Sequence, residues 1–455
     1  MQQPDILLII TDQQRWDTVS CATGGWGYTP NIDRLAAEGA YFEQCFCAAP
    51  SCVPSRASFF NMQWPSHIGP MKNGDKWGTS WVEHFQQAGY RTLNVGKMHT
   101  QPYDAHCGFD QRFIVENKDR CYRGRFYDDL DKYFKQLGVT PPNRFTTPQQ
   151  PDYATCLGAF DWPLPKELHY DAYVGSTAQW LLEDLDDRPL FMQIGFPGPH
   201  TPYDPPPEYL DRIDESAIPL PPIYEPEDEI PPLKRYRQIM IEGNHDGIMW
   251  NERPSADQFR RLRKYYAANV ALIDEQIGEI LARQKANGRL ENTIVVFTSD
   301  HGDSLGDHRQ IEKWTMYDEN TRIPAIVWAP GRIKGGQRSD HLIAQMDLVP
   351  MLFELAGLEL ADCGDAINAK DVLEGALPER DYVFAEHGAC TQLPDIEKMT
   401  MVRSKEWKLV HYADRPYGEL YDLVGDPGEL VNRWNHPAYH GVQQQLLQEA
   451  LGFCA

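Results

Sequence analysis

The chain has 455 residues, 42% hydrophobic and 11% aromatic, which suffices for a large core and excludes a disordered or fibrous protein. A formal net charge of −23 excludes nucleic acid and anionic membrane surfaces as natural partners, so an anionic substrate would need a local cluster of Lys and Arg. Ten cysteines without paired zinc-type spacing read as reduced thiols rather than disulfides.

At the N-terminus, Met1 to Asp5 leads into the apolar run Ile6–Thr11 without the basic flank or cleavage site of a signal peptide. No apolar run approaches the ~20 residues needed to span a bilayer, so a soluble, cytoplasmic protein without a membrane partner is expected. The run Ile6–Thr11 reads as a strand, followed by helices at 30–38 and 79–88 and a strand at Thr92–Val95. A helix at 172–185, a strand at Leu190–Gly195, a long helix at 256–284 and strands at Thr293–Thr298 and Ile323–Trp328 follow. The helix at 347–356 stops at Gly357. In the long helix, Tyr265, Val270, Leu272, Ile273, Ile277 and Ile280 form a core-facing stripe.

Such alternation predicts an α/β fold with a mostly parallel central sheet flanked by helices, and ligands at the carboxyl ends of its strands. Residues 101–165 and 203–254, rich in Pro, Asp and aromatics, interrupt the alternation and read as insertions that shape a substrate pocket. Strands at Tyr382–Glu386, Met399–Arg403 and Trp407–Tyr412, then a helix from about 440, predict a small α+β domain with an antiparallel sheet. The expected division is therefore 1–370, catalytic, and 371–455, C-terminal.

Asp12-Gln13 closes the first strand and Asp300-His301 closes a later one, so both pairs could converge above the sheet's carboxyl edge. Two carboxylates, an amide oxygen and an imidazole make a mainly oxygen site for one divalent cation, Ca²⁺, Mn²⁺ or Mg²⁺. The plainer alternative is that Asp12 and Asp303 cap turns. In Ser51-Cys52-Val53-Pro54-Ser55-Arg56, Pro54 fits the first turn of a helix running to about residue 60. Cys52 then sits at that helix's positive end, where a thiol could be activated or an anion held; a cysteine that merely precedes a helix is the alternative.

Cys-x-Pro-x-Arg, as Cys52, Pro54 and Arg56, resembles the signature that directs oxidation of cysteine to formylglycine in sulfatases, members of the alkaline phosphatase superfamily. Further similar elements occur in order: Thr11-Asp12-Gln13, Thr29 to Leu35, Gly96-Lys97-Met98-His99, Pro199-His200-Thr201-Pro202, Ser299 to Asp303, Lys313 before Tyr317, and Glu419 to Leu423 with Asp426-Pro427. The resemblance implies an alkaline phosphatase-like fold and a formylglycine made from Cys52 by a formylglycine-generating or sulfatase-maturating enzyme. It implies that Asp12, Gln13, Asp300, His301 and the side chain at 52 bind the metal, and that Arg56 holds the aldehyde hydrate. Lys97 and Lys313 would bind sulfate oxygens, His200 would protonate the leaving oxygen, and His99 would act as the base that releases sulfate. Asn73, in Lys72-Asn73-Gly74, could be a turn residue, or it could contact substrate as an asparagine does in phosphonate hydrolases.

Gln13 and His301 stand where many sulfatases carry a carboxylate and an amide, and look more like the choline sulfatase and phosphonate monoester hydrolase branch. Hydrolysis of a small-molecule or carbohydrate sulfate ester is the leading reading, and hydrolysis of phosphonate monoesters or phosphodiesters with the same nucleophile is the alternative. A metal-stabilised binding protein without turnover is a third, disfavoured because every expected catalytic side chain is present. The C-terminal segment could supply the interface of a homo-oligomer.

Overall fold

The computed structural model describes residues 3–116, 118, 126–143, 145–222, 229–242, 248 and 253–453. The strand at its centre is β1 (Asp5–Asp12), all eight of whose residues are buried. It reads as an unbroken apolar run because a parallel strand covered on both faces has no solvent side.

Along the sheet the order is β4–β3–β5–β1–β6–β8–β2–β7, with β9 on the other flank of β2. Here β2 is Ala40–Phe46, β3 Arg91–Gly96, β4 Gln111–Ile114, β5 Leu190–Pro199, β6 Thr293–Ser299, β7 Arg322–Ile323, β8 Ala325–Trp328 and β9 Gln337–Ala344. The five strands from β4 to β6 are parallel neighbours, with Ile6 opposite Phe191 on one side and Ile294 on the other. The strand expected at Ile323–Trp328 is interrupted at Pro324, whose missing N–H cannot join a ladder, and both halves run antiparallel to β2.

The two-residue period of β1 assigns the faces. Leu7 and Ile9 pack with residues of α1 (Pro30–Glu38), α3 (Tyr170–Leu181) and α4 (Ala256–Ala286). Ile6, Leu8 and Ile10 pack on the opposite side, with α2 (Cys52–Asn61) and α5 (Leu348–Ala356). Helix α4 starts with a capping box between Ser255 and Gln258, and its expected stripe is buried except for Tyr265, whose hydroxyl reaches out to Asp161 at 2.7 Å. Helix α3 starts two residues earlier than expected, because the Nδ1 of His169 accepts the Asp171 N–H at 3.2 Å.

The stretch 101–165 is not purely loop: it supplies the edge strand β4 and a helix at Asp129–Leu137. The stretch 203–254 likewise contains a helix at Pro231–Glu242. Residues 117, 119–125, 144, 223–228, 243–247 and 249–252 of these two stretches lie outside the described residues.

After the main sheet comes an antiparallel meander of β10 (Val383–Gly388), β11 (Lys398–Arg403), β12 (Trp407–Tyr412) and β13 (Gly418–Asp422). One face packs Val402, Leu409 and Leu420 on Leu446 and Ala450 of α6 (His440–Phe453). The other turns Met399, Met401 and Val410 toward Tyr266, Trp314 and Tyr317, so this sheet shares a core with the part of the chain that carries the site. Among the described residues no helix is long and apolar enough to cross a membrane.

Candidate active site

Parallel pairing of β1 with β6, Thr11 opposite Ser299, brings the two strand ends side by side. Asp12 and Asp300 therefore meet at the carboxyl edge of the sheet, both buried. Arg56, one turn into α2, joins them: its Nε donates to Asp300 at 2.8 Å, one Nη to Asp12 at 3.1 Å, and the other to the Lys97 carbonyl at 3.1 Å. Its hydrogen bonds go to the carboxylates and the backbone, so it ties Asp12 and Asp300 to the end of β3.

Cys52 is the first residue of α2, and its thiol faces the same cluster. Its Sγ lies 3.2 Å from His301 Nε2, 3.2 Å from Lys313 Nζ and 3.7 Å from Asp12 Oδ1. The start of this helix is built unusually. Its third residue, Pro54, has no N–H, and the Val53 N–H is taken by Asn73 Oδ1 at 3.0 Å. Ser51, in the capping position, is left without a helix donor to accept, and its Oγ lies 3.1 Å from Nε2 of the buried His387 on β10. Burial pushes His387 down to about 4, so it is neutral near pH 7.

Two lysines close the cluster. Lys97 follows β3 and pairs with Asp12 at 2.7 Å. Its placement relies on two glycines: Gly96 has φ +91°, and a Cβ on Gly195 would stand 1.9 Å from the Lys97 carbonyl oxygen. Lys313 rides on a loop in which Leu305, His308, Arg309, Glu312 and Trp314 all have positive φ. Its Nζ reaches Gln13 Oε1 at 2.7 Å and His200 Nε2 at 2.8 Å. Gln13, itself at φ +69°, gives its other amide atom to Asp303 at 2.7 Å. Asp303 also caps the amides of Leu305 and Glu312 at 3.0 Å each, so the turn-capping alternative holds for Asp303, which orients Gln13 and the Lys313 loop together.

Burial alone would raise the Cys52 thiol, but Lys313, Lys97 and His301 outweigh it and hold the group well below an ordinary thiol. Burial would likewise raise both carboxylates. For Asp12 the neighbouring Lys97, His200 and Arg56 outweigh that effect and lower it; for Asp300 burial prevails over Arg56, and it is raised. Ligand-type atoms of Asp12, Cys52, Asp300 and His301 all lie within 4.8 Å of one another. The Nδ1 of His301 donates to the Gly302 carbonyl at 2.9 Å, which turns Nε2 toward Cys52 and the cluster; burial would lower this imidazole, but Asp300 outweighs it and raises the group.

The sulfatase family signature matches residues 4–358, and that of the N-sulphoglucosamine sulphohydrolase C-terminal region matches 306–452. The chain belongs to the sulfatase family. It is a sulfuric ester hydrolase by that membership. The arylsulfatase of Clostridium perfringens is 28% identical over 96% of this chain and 91% of its own. The choline-sulfatase of Rhizobium meliloti is 27% identical over 96% of this chain and 83% of its own. In fold, the sulfatase resembles a phosphonate monoester hydrolase from Silicibacter pomeroyi, with a TM-score of 0.82 at 23% identity over 99% of this chain and 95% of that one. The alkaline phosphatase-like architecture expected from the motifs is thus present.

The sulfatase's cluster brings together Asp12, Gln13, Cys52, Arg56, Lys97, His200, Asp300, His301 and Lys313. His99 and Asn73 instead line the pocket above it. His99, at φ +61°, is held by its N–H on Glu116 at 3.0 Å and stacks near Tyr103, while its Nδ1 has no hydrogen-bond partner among the described residues. Ser51 and Asp303 lie inside the motifs read from sequence, but their contacts with His387 and with Gln13 were not foreseen, and His387 lies in no spacing that signals chemistry. The described pocket wall draws on Lys72 to Gly74, on His99, Tyr103 and Lys118, and on Ala389 to Gln392 with Pro394 from the β10–β11 connection. Replacing Gly195 by Ala should displace Lys97 and lower the aryl sulfate kcat/KM by about 10²-fold, measured on protein whose circular dichroism matches the parent.

Proposed function

We propose that the sulfatase cleaves a sulfate monoester with a formylglycine made from Cys52, assisted by one divalent cation held by Asp12, Gln13, Asp300, His301 and the side chain at 52. The observation that carries this is the thiol of Cys52 at a helix start, within 3.2 Å of both a lysine and an imidazole and ringed by two carboxylates. The donor set suits Ca²⁺, Mn²⁺ or Mg²⁺: carboxylates are hard oxygen ligands, His301 Nε2 faces the cluster and would ligate in its deprotonated form, and Gln13 Oε1 keeps a lone pair beyond the one Lys313 uses. When bound, the cation would polarise a sulfate oxygen and acidify the nucleophile. The aldehyde, once hydrated, supplies one hydroxyl to attack sulfur and a second whose deprotonation releases sulfate.

Everything else falls to the chain's own side chains. Lys313 stands beside position 52 and binds the non-bridging sulfate oxygens; Lys97, on the far side of Asp12, adds positive potential where charge develops. His200 Nδ1 lies 2.9 Å from the Thr201 carbonyl, so its Nε2 faces Lys313 as an acceptor. The proton for the leaving oxygen therefore comes from this lysine–imidazole pair, with His200 as the group that hands it on. His99 at the pocket wall takes the proton of the release step. Arg56 holds Asp12 and Asp300 in register, and Asn73 fixes the helix start.

Replacing Lys313 by Ala should reduce kcat/KM for 4-nitrophenyl sulfate by about 10²–10³-fold, as removal of one oxyanion donor does. Chelation by EDTA should abolish turnover and lower the melting temperature, and Ca²⁺, Mn²⁺ or Mg²⁺ should restore both. Full activity with Cys52 oxidised and every divalent cation removed would refute the metal assignment.

Phosphonate monoester hydrolysis is the second reading, favoured by Gln13 and His301. Specificity constants for aryl sulfates and aryl phosphonate monoesters decide: the proposal expects sulfate to be preferred, and a clear preference for phosphorus overturns it. The division at 370/371, a maturation enzyme acting on Cys52, a homo-oligomer and a cytoplasmic location belong to the same proposal.

A further inference from the structure

The pocket above Cys52 encloses about 820 Å³, enough to hold a ligand much larger than the sulfate group. Its charge is the opposite of the protein's. On a chain of net charge −23, the described lining carries Lys72, Lys118 and Lys313 and no carboxylate. Acidic residues were available in excess, so their exclusion from this wall bears on what enters it.

The three lysines differ in what holds them. Lys313 is committed to Gln13, His200 and Cys52. Lys118 is buried against Asp204 at 2.8 Å and the Pro202 carbonyl at 3.1 Å, so its charge is matched within the protein. Lys72 is exposed, and the nearby Asp75 carboxylate is spent on the amide N–H groups of Met71, at 2.8 Å, and Lys72 itself, at 3.1 Å. Among the described residues its ammonium group has no ion-pair partner. Lys72 is also tied to the reacting centre. The next residue, Asn73, bonds Val53, which adjoins Cys52.

Tyr103 brings a half-buried aromatic ring to the same wall, whereas Trp314 is buried there under Lys313; from the β10–β11 connection come Thr391 and Gln392, the hydroxyl of the first donating to the amide oxygen of the second at 2.8 Å. An aromatic ring beside a hydroxyl–amide pair fits the apolar and polar faces of a sugar ring. An aromatic ring alone would also suit a quaternary ammonium, but that ligand needs a negative surround, and the unmatched ammonium of Lys72 opposes it.

We propose that Lys72 forms a subsite for a second anionic group, a carboxylate or sulfate, on the alcohol part of the substrate, so that the enzyme prefers sulfated acidic sugars to neutral or cationic sulfate esters. This rests on the sulfate ester reading above and names the substrate class for that site.

The test measures glucuronic acid 3-sulfate and glucose 3-sulfate as competitors of 4-nitrophenyl sulfate hydrolysis, with choline as a cationic control. The two sugars differ only in the carboxylate. At low ionic strength glucuronic acid 3-sulfate should compete about tenfold better, the size of one charge-assisted hydrogen bond, and the advantage should shrink with added salt. The ratio should persist in Lys72→Arg, fall to about one in Lys72→Ala, and invert in Lys72→Glu. Equal competition by the two sugars in the parent enzyme, tighter inhibition by choline, or a ratio unchanged in Lys72→Ala would overturn the inference. Absence of 4-nitrophenyl sulfate turnover in protein with residue 52 oxidised would instead count against the sulfate reading itself.

Discussion

Cys52→Ala should lower kcat for 4-nitrophenyl sulfate by at least about 10⁴-fold, because it removes the atom on which every step depends. The fold should tolerate the change. Ala is small enough for the site and a good helix former at the first position of α2, and the Ser51–His387 and Val53–Asn73 contacts do not use the thiol. Cation binding should survive in weakened form, since Asp12, Asp300 and His301 remain. Kinetics, isothermal titration with Mn²⁺ and thermal melting on one preparation separate these effects. Activity within tenfold of the parent would remove position 52 from the chemistry.

Arg56→Met should cost about 3–5 kcal/mol of stability in cation-free protein, the usual penalty for deleting one partner of a buried charge cluster. Arg56, Asp12 and Asp300 are almost fully shielded from water, and without the guanidinium the two carboxylates share the site with Lys97 as their nearest remaining cation. One would then take up a proton, and Asp300, already raised by burial, is the one expected to do so. Denaturant unfolding with and without Mn²⁺ checks this. The loss should be smaller in the cation-loaded protein, because a bound divalent ion stands in for the missing positive charge, and an equal loss in both conditions would contradict that account.

The site was legible in sequence to the extent that it lies at strand ends. Asp12 and Asp300 follow apolar runs that could only be central strands, and Pro54 marked the start of α2, so convergence followed from the rule that parallel strands point the same way. What could not be read lies where no local pattern exists. Strand β2 mixes polar Glu43 and Gln44 into an apolar segment, and β9 opens Gln-Arg-Ser-Asp, of which only Ser339 is buried, before its buried end Leu342 to Ala344. The edge strand β4 has one exposed, two half-buried and one buried residue, too few and too mixed to carry a periodic signal. The dependence of Ser51 on His387 joins residues 336 positions apart, which no spacing rule connects. Asp303 looked like a turn residue and is one, yet by that turn it sets the positions of Gln13 and Lys313.

Mass spectrometry of the peptide containing Cys52, from protein made in its native host or alongside a formylglycine-generating enzyme, addresses the nucleophile directly. An aldehyde in place of the thiol, in a fraction of molecules that rises and falls with specific activity, is the predicted result. Full activity from protein whose Cys52 remains an unmodified thiol would contradict it.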